Sequence, residues 1–168
     1  QESRGLGDVY KRQEVMTSIV KMLESENGFS KIADEILTDV CNYLKISNAA
    51  LLRINRDGET ADMISECCLE EEDALIAKCQ GISTSEFPFT NGKPYMISAD
   101  SLLPPAFAQF FEKWNIQAAI SLPVEINGEA AMYLCFFELR KRRIWDVSDI
   151  KFLNEVKQIV QSLSLIHI

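Results

Sequence analysis

The sequence predicts an α+β domain built on an antiparallel sheet, and three observations predict it. Residues Ile116 to Leu139 read as two strands joined by a tight hairpin, Ala49 to Ser65 read as a second hairpin, and amphipathic helical periods precede the first strand and follow the last. Ile116, Ala118, Ile120, Leu122, Val124 and Ile126 recur at every second position. Gln117, Ala119, Ser121 and Glu125 take the other parity, so one face is core and the other more polar. Asn127-Gly128 closes the turn, since both residues tolerate the positive φ that a two-residue type I′ hairpin demands. The returning strand, Ala130 to Phe137, is apolar on both parities, which places it mid-sheet with cover on each side.

Length and composition bound the rest. At 168 residues and 19.0 kDa the chain fits one domain, and a hydrophobic content of 47% with 25% charge is that of a globular protein, not a disordered chain or a coiled-coil rod. No apolar run approaches the roughly 20 residues of a membrane helix, and no basic-then-apolar leader opens the chain. A cytoplasmic protein with no membrane partner is expected. The net charge of −8 and pI near 4.7 disfavour nucleic acid as a partner, because binding a polyanion requires clustered cations. The one basic run, Arg140-Lys141-Arg142-Arg143, reads as a solvated loop, with a docking patch as the alternative. Glu70-Glu71-Glu72-Asp73 reads as a helix start complementing the helix dipole. Cys41, Cys67, Cys68, Cys79 and Cys135 make an odd number without CxxC spacing or a neighbouring histidine, so neither a disulfide framework nor a metal site is expected. They read as reduced thiols, with a redox-active Cys67-Cys68 pair as the alternative.

In chain order, Gly5 to Gln13 and Leu163 to Ile168 resemble translated sequencing-adaptor read-through, so 1–13 and 163–168 are set apart as tails around a domain at 14–162, and His167, the only histidine, is excluded from chemistry. The natural parent is expected to be longer. Val15, Ile19, Met22 and Leu23, widened by Met16 and Val20, make the stripe of a first helix that stops near Asn27-Gly28. Phe29, Ile32, Ala33, Ile36, Leu37, Val40 and Leu44 make the stripe of a second. Two strands follow, 49–54 and 59–65, turned by Asp57-Gly58. Residues 69 to 79 read as a short helix. Gly81 to Pro105 is irregular, with one strand at 95–98, and long loops of this kind tend to be binding loops. Phe107, Phe110 and Trp114 fall at i, i+3 and i+7 on a brief helix, as core packing or as pocket lining. After the central hairpin, Asp146 with Asp149 forms an acidic capping box opening the last helix. Its apolar face, Ile150, Phe152, Leu153, Val156, Ile159, Val160 and Leu163, is wider than one core contact needs.

Four stretches in succession resemble a GAF domain over about residues 14 to 162: Phe29-Ser30-Lys31-Ile32-Ala33, Thr90 to Ile97, Ser121 to Glu129, and Arg143-Ile144-Trp145-Asp146. The resemblance is to the bacterial sensory type and implies a PAS-related antiparallel sheet of order 2-1-5-4-3. It also implies terminal helices on one face, with loops and short helices over the other, where a small-molecule pocket lies. Specialised members of that family match poorly. No cysteine here has the adjacent histidine of bilin-binding members, no usable histidine is present for haem, and the cyclic-nucleotide signature is absent. Members that reduce free methionine sulfoxide use several cysteines, and Cys67, Cys68 and Cys79 leave a thiol-dependent reductase as an alternative.

No cofactor and no catalytic residue are expected. The implied placement gives pocket candidates Phe87, Phe89, Thr90, Tyr95, Met96 and Ser98 from the irregular segment, with Phe107, Phe110 and Trp114 from the short helix. Ser121, Tyr133 and Cys135 join them from the facing strand parity. Thr90, Tyr95 and Tyr133 stand foremost, since a buried hydroxyl must find a partner and a ligand can provide one. The expected function is a noncatalytic sensing or signal-transmitting regulatory domain. Its terminal helices would pair in a homodimer and lead to an effector outside this chain, such as a diguanylate cyclase or histidine kinase. A purely structural dimerisation domain is the third reading.

Overall fold

The computed structural model describes residues 2–23 and 28–167. The expected helix stop at Asn27-Gly28 rests partly on Asn27, and the first stripe partly on the side chains of Val20, Met22 and Leu23, all outside what is described. Four helices are described, α1 (Glu2–Leu23), α2 (Phe29–Leu44), α3 (Pro105–Trp114) and α4 (Val147–His167). They surround strands β1 (Asn48–Ile54), β2 (Thr60–Cys68), β3 (Ile82–Ser83), β4 (Tyr95–Ile97), β5 (Ala118–Ile126) and β6 (Glu129–Glu138), in an antiparallel sheet of order β3-β2-β1-β6-β5-β4. With β3 set aside, this is the order expected from the sequence. β3 pairs only Thr60 with Ser83 and Ala61 with Ile82, too short a ladder for a period to register.

β6 divides the molecule. Met132, Leu134 and Phe136 face a core shared with α1, α2 and α4, while Tyr133, Cys135 and Phe137 face a second core under the loops and α3. The Asn127-Gly128 turn has φ of 53° and 82°, as a type I′ hairpin requires. The expected polar parity of β5 is a correction: Ala119 and Ser121 are buried, because the loop layer covers that face as well. Residues 69–79 are also corrected, to two single 3₁₀ turns, Glu71–Asp73 and Ile76–Lys78. A continuous helix is excluded because this segment runs back along β2, where the Met63 amide donates to the Cys79 carbonyl at 2.8 Å and Glu66 accepts from the amides of Leu75 and Ile76.

α1, α2 and α4 form one layer, with α4 packed on β5 and in contact with α1 and α2. Phe152, Leu153, Val156, Val160 and Leu163 are all buried there, so the breadth of the α4 face is used within a single chain. The segments resembling adaptor sequence belong to these helices. Residues 5–13 lie within α1, and Leu163 and Ser164 are buried.

The capping box forms reciprocally. The Asp149 amide donates to Asp146 Oδ1 at 2.7 Å, and the Asp146 amide donates to Asp149 Oδ2 at 3.3 Å. Asp146→Ala is expected to cost about 1 kcal/mol, read as a lower urea midpoint at unchanged slope. Hydrogen bonding, from the Ser148 hydroxyl foremost, holds the Asp146 carboxyl below its usual range. A depressed folded value contributes stability above the unfolded value that is lost as pH falls through the folded one. The difference between the wild type and Asp146→Ala should therefore shrink below about pH 4.

Candidate ligand pocket

The loop-side core is built from aromatic rings. Phe87 and Phe89 come from the segment before β4, Phe107 and Phe110 from α3, and Tyr133 and Phe137 from β6. Phe89 sits at their centre, with ring centroids 5.7 Å from Phe87, 5.6 Å from Phe110, 5.8 Å from Tyr133 and 6.4 Å from Phe137. These are edge and tilted contacts of the kind aromatic quadrupoles favour. α3 presents this face because Phe107 and Phe110 are one turn apart; Trp114, a further turn on, is half-buried at its end.

Between this layer and the sheet lies a cavity of about 10 Å³, room for little more than one water-sized sphere. Leu52, Met63, Cys135 and Phe137 form its floor, Leu75, Cys79, Phe87 and Phe89 one wall, and Phe110, Trp114 and Ile116 the other. None of these side chains is charged. The indole nitrogen of Trp114 is the only side-chain nitrogen or oxygen among them, and it is buried without a hydrogen-bond partner. Outside, a surface groove of about 790 Å³ runs between α3 and the turn at Ser85 to Pro88 and shares Phe110 with the cavity.

Of the twelve candidates, Phe87, Phe89, Phe110, Trp114 and Cys135 line the cavity, and Phe107, Tyr95 and Tyr133 belong to the same core without lining it. Thr90, Tyr95 and Tyr133 are held by the protein itself. Thr90 Oγ1 donates to the carbonyls of Phe87 (2.7 Å) and Thr84 (3.1 Å), the Gly92 amide donates to the Tyr133 hydroxyl (2.8 Å), and Asn91 Nδ2 donates to Tyr95 (2.5 Å). These three hydroxyls order the 84–95 loop. Ser121 pairs with Cys135 and Tyr95 across the sheet and is buried, its hydroxyl without a partner. Met96 and Ser98 are corrections. Met96 stands opposite Ile120, whose side chain is in the helix-side core, and is 47% exposed. Ser98 Oγ instead accepts from the Trp145 amide at 2.9 Å.

Cys41, Cys68, Cys79 and Cys135 are muted by burial. Desolvation, with neighbouring negative groups, pushes Cys41 and Cys68 to about 12 and Cys79 to about 11, and burial also raises Cys135 well above its usual value. Among the described residues no group of three His, Cys, Asp or Glu side chains is arranged to hold a metal ion, and no helix is long and apolar enough to cross a membrane.

One set of residues escaped the sequence reading. Arg143, expected in a solvated loop, is largely buried and donates to the Leu44 carbonyl at the end of α2 at 2.7 Å. Its guanidinium lies 3.7 Å from the buried Glu138 carboxylate, 4.0 Å from Asp149 in the capping box, and over the Trp145 ring. The same strap is pinned to the end of β4. Ala99 donates to the Arg143 carbonyl (2.8 Å), and the Trp145 indole donates to the Ile97 carbonyl (3.1 Å). The available signal was Glu138 closing an otherwise apolar central strand, which demands a cation nearby.

The family model that matches this chain is that of the GAF domain, over residues 29–162. No curated protein matches. Similar solved structures include the phycocyanobilin-bound GAF domain of a cyanobacterial phytochrome, 10% identical, with TM-score 0.78 over 93% of this chain and 94% of that one. The GAF domain of an Acinetobacter phosphoenolpyruvate-protein phosphotransferase is 12% identical, with TM-score 0.68 over 90% of each chain. The chromophore-binding domain of Stigmatella aurantiaca phytochrome P1 is 11% identical, with TM-score 0.75 over 90% of this chain and 59% of that one.

Proposed function

Because this chain belongs to the GAF domain family, we propose that it is a noncatalytic, small-molecule-sensing regulatory domain of a bacterial signalling protein, passing the state of its pocket to a homodimeric helix bundle. One observation carries the reading: the strap at residues 143–146 joins the covering loop of the pocket to the start of α4. β4 continues the 84–95 loop, and its end at Ile97 and Ser98 is hydrogen-bonded to Trp145. Two residues on, α4 begins. A guest that shifts the covering loop therefore shifts the α4 cap, provided it binds the two arrangements with different affinity. A thiol-dependent reductase is disfavoured because burial holds two of its three candidate thiols, Cys68 and Cys79, far from ionisation at neutral pH.

Self-association is read through α1 and α4, which share one face of the sheet. Leu6, Val9 and Tyr10 of α1 are exposed, as is Leu165 of α4. All four fall in the segments whose sequence resembles adaptor read-through, which makes the test sharp. Sedimentation of the full chain should give a dimer that survives Val9→Glu if the natural helices make the contact. A dimer lost in that variant would place the contact on the segments that resemble adaptor sequence and remove this part of the reading.

The purely structural reading is favoured by one observation, the cavity of about 10 Å³. Native mass spectrometry of the purified chain separates the two. A retained small molecule supports sensing; a bare mass, with no change in α4 hydrogen exchange on adding guests of varied chemistry, supports the scaffold.

A further inference from the structure

Away from the loop-side core, two thiols meet on the helix side of the sheet. Cys67 and Cys68 are consecutive on β2, so the strand sends their side chains to opposite faces. Cys68 turns to the loop side, where its sulfur accepts from Asn48 Nδ2 at 3.4 Å, a group that also donates to Glu66 and to the Asp73 carbonyl. Cys67 turns to the helix side and packs against the core that contains Cys41 of α2. Cys41 Sγ donates to the Ile46 carbonyl at 3.0 Å and lies 3.7 Å from the carbonyl oxygen of Cys67 itself. The Cys67 thiol is close enough to raise that of Cys41 by both charge and hydrogen bonding. Ser65, two residues before Cys67 on the same face, is bonded to Asp34 of α2, so helix and strand are already fastened side by side. Cys41 is wholly buried, whereas Cys67 is half-buried and keeps an edge in solvent.

We propose that Cys41 and Cys67 form an oxidative modification site, which a hydroperoxide converts to a disulfide joining α2 to β2. Cys67, the thiol of the two that solvent reaches, reacts first. Its sulfur attacks one peroxide oxygen and the O–O bond breaks. The departing oxygen takes the thiol proton and leaves as an alcohol or water, and Cys67 becomes a sulfenic acid. The Cys41 sulfur then attacks the Cys67 sulfur. An S–S bond forms, the S–O bond breaks, and the hydroxyl leaves as water with the Cys41 proton. Two electrons pass in all from the sulfurs to the peroxide. Burial keeps Cys41 from meeting solutes but not from meeting a sulfur already placed against it, where proximity replaces the encounter. Cys68, also half-buried, is pushed to about 12 by burial and Glu66, so it competes poorly for the peroxide. The crosslink fastens α2 one turn before Leu44, whose carbonyl accepts from Arg143 of the strap. It acts whether or not the pocket holds a guest.

The test treats the reduced full chain with equimolar hydrogen peroxide, blocks the remaining thiols with N-ethylmaleimide in denaturant, and maps the tryptic peptides. Cys41 lies in the peptide 32–45 and Cys67 in the peptide 57–78. The two should appear joined, lighter than their sum by two hydrogens. Cys67→Ser should abolish the joined species and Cys68→Ser should leave it unchanged. In Cys41→Ser, whose hydroxyl can still donate to Ile46, the Cys67 sulfenic acid has no thiol to meet and should be captured by dimedone about tenfold more than in the wild type. Should that buried replacement fail to fold, the two half-buried ones decide by themselves. In the urea-denatured chain the preference for Cys41 should vanish. A crosslink that persists in Cys67→Ser, or that forms as readily in the denatured chain, would overturn the pair. So would a Cys67 left as a thiol, or carried on to the sulfinic acid, with Cys41 unlinked. None of these results depends on guest binding, so the sensing reading stands or falls separately.

Discussion

Arg143→Ala is expected to be the most damaging single replacement of a charged residue in this protein, lowering stability by about 3–5 kcal/mol, the usual cost of stranding one partner of a buried pair. Glu138 ends the central strand with its side chain 2% exposed. One carboxylate oxygen accepts from Ser47 Oγ and the other has only the Arg143 guanidinium, 3.7 Å away. Removing the guanidinium leaves that oxygen buried opposite no cation, and it also frees the Leu44 carbonyl that ends α2. Urea unfolding measures the loss. Combining Arg143→Ala with Glu138→Gln should recover part of it, because the stranded charge goes with the carboxylate, and the recovery gives the coupling between the two groups. A loss below 1 kcal/mol, the range of exposed pairs, would mean that water reaches Glu138 and that the strap is no hub.

That network shows where sequence reading reaches and where it stops. Signals set by neighbours along the chain were legible. Asn127-Gly128 takes two positive φ values, Asp146 and Asp149 cap α4, and the two-sided apolar run of 130–137 sits mid-sheet. The strand period could have done more. Tyr95 and Met96 are consecutive on β4, so one of the two had to face away from the pocket, and it is Met96. Partner choice was not legible. Nothing local tells that Thr90 bonds carbonyls in its own loop, that Tyr133 meets Gly92 from 41 residues away, or that Arg143, in a run of four cations, turns inward. The placement implied by the family resemblance named Phe87, Phe89, Phe110, Trp114 and Cys135 around the cavity but none of its aliphatic residues, Leu52, Leu75 and Ile116, because these read only as ordinary core. The hydroxyls chosen as ligand contacts went instead to ordering the loop above it.

Phe89→Ala is the second large effect, and it tests the wall directly. Phe89 is 2% exposed and touches four other rings, so truncation to alanine should cost about 3–5 kcal/mol. The loss has two parts: the transfer of the ring itself and the void it leaves beside an existing cavity of about 10 Å³. The second part depends on whether the neighbours collapse. Phe87, Phe110 and Phe137 come from three different segments anchored separately, by the Thr90 bonds, by α3 and by the sheet, so they cannot close on the void together. The void should therefore persist and admit an apolar guest. Toluene at 100 times its dissociation constant would restore about 2.7 kcal/mol, since it binds only the folded state. Partial rescue of the melting temperature by toluene at that concentration, with none by benzoate, would show that the void persists and that its wall takes apolar guests. A variant that loses under 1.5 kcal/mol and ignores toluene would mean that the loop layer repacks, and a layer that repacks so readily could not hold a covering loop in the two distinct arrangements that sensing requires.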